Sequence, residues 1–94
     1  MLTFNYEKFS IKLNDEDIKK CAHEGECYDD CKEVMKKDYV SKQLNAIPLS
    51  ELAHELDLYG VDYDDGDDID YLRLLILWNA ACYLKEELCG SLYN

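Results

Sequence analysis

Proline occurs once in this chain of 94 residues, glycine four times, and lysine plus arginine only ten times against 21 acids. So little proline and glycine excludes a collagen-like repeat or a flexible linker, and an apolar share of 48% excludes disorder. The shortage of bases excludes direct nucleic-acid binding through a basic surface, because phosphate contacts need clustered Lys and Arg. Long hydrophobic runs are missing too. The most apolar stretch, residues 71–84, is interrupted by Arg73 and Asn79, and a bilayer span needs roughly 20 residues. The start, Met1-Leu2-Thr3-Phe4-Asn5-Tyr6, lacks the basic and apolar regions of a secretory leader. The five cysteines are therefore expected to be reduced thiols in a cytoplasmic protein. Phosphate-binding loops, nucleophile elbows and metalloprotease motifs do not occur, so no enzymatic activity is expected.

What the sequence does have is charge of one sign, unevenly placed. Residues 1–50 hold ten acids and eight bases, whereas residues 51–94 hold eleven acids and two bases. Within 51–70 there are nine acids (Glu51, Glu55, Asp57, Asp62, Asp64, Asp65, Asp67, Asp68 and Asp70) and no base. Such a cluster repels itself and attracts cationic partners. Glu51, Glu55, Asp57, Asp62, Asp64, Asp65, Asp67 and Asp68 are expected to form one partner-binding face. Tyr63 joins them, because its two Asp neighbours make it the tyrosine least explained by packing, whereas Tyr71 belongs to the core helix and Tyr59 closes the third helix.

The length fits one domain over residues 1–94. Strand-forming residues fill 2–13, but their alternation changes phase at Glu7-Lys8, so the segment is either a hairpin or a lone strand seeking a partner. Asn14 suits the cap of a short helix ending near Gly25. A second helix is expected from about Tyr28 to Asn45. A third starts at Pro48, carries Leu49, Leu52, Ala53 and Leu56 on one stripe, and stops at Gly60. Asp67 or Asp68 caps the last helix, which reaches about Cys89. The expected fold is α+β and mostly helical: a short N-terminal strand or hairpin followed by about four helices, the last central and buried. That last helix is apolar on nearly every side, and either this or an unpartnered strand would favour a homodimer.

Three site chemistries compete with a plain acidic surface. An EF-hand fails, since Gly66 at loop position six puts Val61 and Leu72 where acids are required. Cys21, His23, Cys27 and Cys31 have ligand types suited to structural zinc, but Gly25 interrupts them and the usual Cys-x2-Cys spacing is absent. Packing of the cysteines as small apolar side chains is the expected outcome, with no metal and no cofactor. Cys27 near His23, and the lone His54, are the only candidates for nucleophilic chemistry.

Size, charge and layout over the whole chain, with the acids of 51–70 as the specific part, resemble small acidic anti-defence proteins of phages and mobile elements. These include anti-CRISPR proteins and antirestriction DNA mimics. Leu52-Ala53-x-Glu55-Leu56 followed by Ile69-Asp70-Tyr71 resembles acidic helical segments of the ArdA antirestriction family. The resemblance implies an inhibitor whose carboxylates stand in for phosphates in the basic nucleic-acid-binding groove of a host defence protein. It would act in the cytoplasm of the host cell, away from membranes and without touching nucleic acid itself. An antitoxin-like or adaptor module for a basic partner is the alternative, and a small zinc-stabilised regulatory domain is a third. Elemental analysis of protein purified without added metal separates the third from the others. The expected zinc content is near zero, with melting unaltered by a chelator, because bound structural zinc would contribute folding free energy directly.

Overall fold

The structure, a computed structural model, describes residues 1–22 and 28–90, the last two by backbone alone. The chain opens with β1 (Leu2–Asn5) and β2 (Ser10–Leu13), paired antiparallel with Leu2 opposite Leu13 and Phe4 opposite Ile11. The change of phase in the sequence is therefore the turn of a hairpin: even positions before it and odd positions after it share one face. Glu7 and Lys8 form the tip, closed by the Tyr6 N–H donating to the Phe9 carbonyl at 2.8 Å. The strand finds its partner within the chain.

Among the described residues five helices follow where about four were expected: α1 (Asp15–Cys21), α2 (Asp29–Met35), α3 (Asp38–Asn45), α4 (Leu49–Leu58) and α5 (Ile69–Gly90). Asn14 caps α1 as expected, its Oδ1 accepting from the Asp17 N–H at 2.8 Å. The helix ends at Cys21, earlier than Gly25, because Ala22 leaves helical geometry (ψ 65°). Lys85 then donates to the Ala22 carbonyl at 3.1 Å, supplying a cation at a helix C-terminus.

The single helix expected over 28–45 is broken at Lys37, which is extended (ψ 139°). Packing gives the reason. Val34 and Val40 are both fully buried, yet six residues is about 600° of helical rotation, so one straight helix would point them about 120° apart. The break lets α2 face α1 and α5 while α3 faces β2. It also frees Lys37 and Tyr39 to reach Asp17, a buried carboxylate on α1. Lys37 Nζ lies 2.7 Å from Asp17 Oδ1, and the Tyr39 hydroxyl donates to the other oxygen. On the next turn Gln43 bonds the Lys12 backbone in both directions, at 2.7 and 3.0 Å, which covers the outer edge of β2.

α5 is the central element, packed against α1, α2, α4 and both strands. Leu74, Leu75, Ile76, Leu77, Ala80 and Ala81 are all buried along it, which is why its sequence is apolar on nearly every side. Among the described residues no helix is long and apolar enough to cross a membrane. Tyr6 fastens the hairpin to α5 by donating to the Ile76 carbonyl at 2.8 Å and accepting from Asn79 Nδ2 at 3.1 Å.

Burial alone would raise the Asp17 pKa, but the Lys37, Tyr39 and Asn14 bonds outweigh it and hold the carboxyl below its usual 3.8. A group depressed in the folded state stabilises the fold fully above its unfolded pKa and loses that contribution as pH falls through the folded one. Unfolding in urea should therefore show stability falling below about pH 4. Asp17→Asn should cost about 2 kcal/mol at neutral pH and flatten that acid-side decline.

Candidate functional site

The acidic loop is framed by two helix ends. Gly60 takes positive φ (68°) after α4, and the Gly60 and Val61 N–H groups bond back to Asp57 and Leu56 at 3.2 and 2.9 Å. This is the glycine-dependent helix stop read from the sequence. At the far end Asp68 Oδ1 accepts from the Tyr71 N–H at 3.0 Å and caps α5. Between them Asp64 and Asp67 close a turn reciprocally. The Asp67 N–H donates to the Asp64 carbonyl at 3.0 Å, and the Asp64 N–H to Asp67 Oδ2 at 2.8 Å.

The expected single face separates into parts. Glu55 is 2% exposed and does not belong to a surface: its Oε1 accepts from the Glu7 N–H at the hairpin tip, at 3.1 Å. Glu51, one turn earlier, lines a hollow beside that tip together with Lys8 and His54. Both therefore sit on the hairpin side of α4. Asp57 accepts from the Tyr63 hydroxyl at 3.1 Å. That bond, with the partial burial of Tyr63 against the core, gives the packing reason for Tyr63 that the sequence did not suggest. Burial and the Asp57 bond together push the phenol pKa upward. Asp70 pairs with Arg73 at 2.8 Å. Among the described residues, no hydrogen bond or ion pair holds the side chains of Asp62, Asp64 or Asp65.

Two adjoining hollows meet at Asp62 and Tyr71. The smaller, about 430 Å³, is walled by Tyr63, Asp64 and Asp67. The larger, about 640 Å³, lies between the end of α4 and the outer face of α5, with Tyr28, Tyr59 and Trp78 in its walls and Asn79 at its inner side. Tyr28 and Trp78 were not singled out from the sequence. The available signal was the spacing Tyr71, Leu75, Trp78, Asn79, which places one face of a helix beside the acidic loop.

Cys21 and Cys31 are buried in the core, where the Cys31 thiol donates to the Cys21 carbonyl at 3.2 Å. Contact with Cys31 and burial both push the Cys21 thiol pKa upward. His23 and Cys27, the other expected members of that cluster, lie outside the described residues. The described side chains that could converge on a cation are Glu7, His54 and Glu55, with ligand atoms within 4.8 Å of one another. His54 Nε2 is 3.2 Å from Glu7 Oε2, so these contacts also tie the hairpin tip to α4. His54 is thus paired with a carboxylate.

No protein-family model matches the chain, and neither a curated protein nor a solved structure matches it.

Unpaired like charges on an exposed loop oppose folding and are screened by salt. Replacing Asp62, Asp64 and Asp65 together by Asn should leave the fold intact and raise the melting temperature at low ionic strength. Calorimetry in increasing sodium chloride should show wild type approaching the variant.

Proposed function

We propose that this chain is an acidic binding protein that inhibits a host defence complex by occupying its basic nucleic-acid-binding groove, as anti-CRISPR and antirestriction DNA mimics do. The observation that carries the reading is the state of the loop carboxylates. Asp62, Asp64 and Asp65 are exposed and pair with no cation among the described residues, so their field is available to an outside one. Carboxylates displayed on a fixed loop can take the place of phosphates against Lys and Arg. The reciprocal Asp64–Asp67 turn and the Asp68 cap hold that display in one shape, which limits the ordering cost of association. The fold and the resemblance of the acidic stretch support the same reading: a small domain whose strongest surface feature is negative charge.

Mimicry carries a requirement that a general adaptor does not meet, namely that the chain and nucleic acid exclude each other from the target. The experiment uses purified CRISPR effector and restriction complexes, each with and without its own guide or duplex. Wild type should bind one of them with strongly salt-dependent affinity and be displaced by its nucleic acid. Lys substitution at Asp62, Asp64 and Asp65 should abolish binding while circular dichroism stays unchanged. Simultaneous binding of chain and nucleic acid, or wild-type affinity in the triple variant, overturns the proposal.

A further inference from the structure

We propose that the larger hollow is a receptor for one arginine side chain of a basic polypeptide. In this geometry the guanidinium lies against the rings of Tyr71 and Trp78, and its fork meets the Asp62 carboxylate. The inference deepens the proposed function, on which it rests for the basic nature of the partner.

The chemistry of the lining points one way. Four of the lining residues are aromatic, and the faces of aromatic rings carry the negative part of a quadrupole, which attracts cations. The Tyr28 ring stands at 87° to both Tyr71 and Trp78, with centroids 6.4 and 6.0 Å away. Asp62 at the rim has no internal partner among the described residues. At the inner side Asn79 is only 6% exposed, and its amide orientation is fixed by its neighbour. The single Tyr6 hydroxyl proton goes to the Ile76 carbonyl, so Tyr6 must accept from Asn79, which therefore presents Nδ2 to it. Asn79 Oδ1 is left as an acceptor that meets no donor among the described residues. Among the described residues no base lines the hollow. Aromatic faces, a carboxylate and a side-chain amide oxygen together suit a cation that also donates hydrogen bonds.

Guanidinium fits this set better than ammonium. It is planar, so it stacks on aromatic faces, and its paired N–H groups match a carboxylate in a fork. An ammonium is compact and strongly hydrated, and it would leave much of a hollow of about 640 Å³ to water.

Trp78 is the only tryptophan and lines this hollow, so its fluorescence serves as the readout. The full chain is titrated with N-acetyl-arginine amide, and separately with N-acetyl-lysine amide, at constant ionic strength. Arginine amide should give a saturable change, with lysine amide several-fold weaker. Asp62→Asn and Tyr71→Ala should each weaken arginine amide by about two- to fivefold. Glu87→Gln, at an exposed acid on α5 that does not line this hollow, should leave it unchanged. Circular dichroism checks the fold of each variant, and should Tyr71→Ala lose helix, Asp62→Asn decides alone. The assignment is overturned by absence of saturation, by equal binding of lysine amide, or by an equal loss in Glu87→Gln, which would mark a diffuse field. Defence-complex binding without an arginine response overturns the receptor and leaves mimicry standing. An arginine response in a chain that binds no such complex supports the receptor and overturns mimicry.

Discussion

The hydroxyl of Tyr6 is the contact on which the geometry around the acidic loop depends. It joins the hairpin to the middle of α5 through Ile76 and Asn79. Burial pushes its pKa well above the ordinary phenol value, so it remains a neutral donor. The Tyr6 ring also packs against Phe4, Phe9 and Tyr59, at centroid distances of 4.8, 4.8 and 5.6 Å. With the hairpin so docked, its tip delivers the Glu7 N–H to Glu55, which holds α4 across the same end of the molecule. The loop then runs from the end of α4 to the start of α5. Leaving the Asn79 amide without a partner would cost about 1–3 kcal/mol, and the inner side of the aromatic hollow would lose its fixed orientation.

A count of acids treats all carboxylates alike, and the structure does not. Glu55 accepts a backbone bond in the interior, Asp57 holds a tyrosine, Asp67 and Asp68 shape backbone, and Asp70 faces Arg73. These five are engaged within the molecule. Four have no side-chain partner among the described residues: Glu51 lies on the hairpin side of α4, and Asp62, Asp64 and Asp65 belong to one short stretch held between a glycine-stopped helix and a capped one. Concentration of charge in the sequence thus becomes something narrower: a few carboxylates on a fixed loop, surrounded by others that build the loop.

Features governed by local chemistry were legible in the sequence. The Asn14 cap, the Gly60 stop, the Asp68 cap and the turn at Glu7-Lys8 each depend on residues within a few positions of one another, and propensity speaks directly to them. The departures all come from contacts distant in sequence. The break at Lys37 lets Val34 and Val40 both face the core and brings Lys37 and Tyr39 to the buried charge of Asp17, which lies twenty residues from Lys37. Leu49, expected on the buried stripe of α4, is 50% exposed, while Glu55 turns inward because the hairpin tip supplies a donor. Tyr63 was read as surface because its neighbours are charged, but its hydroxyl reaches back to α4. The aromatic hollow needed three elements to be placed before Tyr28, Tyr71 and Trp78 could be seen together.

The placement of the free carboxylates beside that hollow gives the two features separate physical roles. Long-range charge acts on encounter: it gathers cationic partners and speeds association, and salt weakens it over distances beyond roughly 8 Å. It discriminates poorly, since any basic surface responds to it. Aromatic walls act only at contact, where a flat cation can lie against a ring and exclude water, and contacts of this kind govern how long a complex lasts. Asp62 stands at the border of both hollows and is the residue through which the field and the contact would act on the same side chain. A loop bearing carboxylates alone would favour every basic protein in proportion to its charge. Adding one walled position makes the spacing between an arginine and the rest of a basic groove matter, and that is a route from attraction to selectivity.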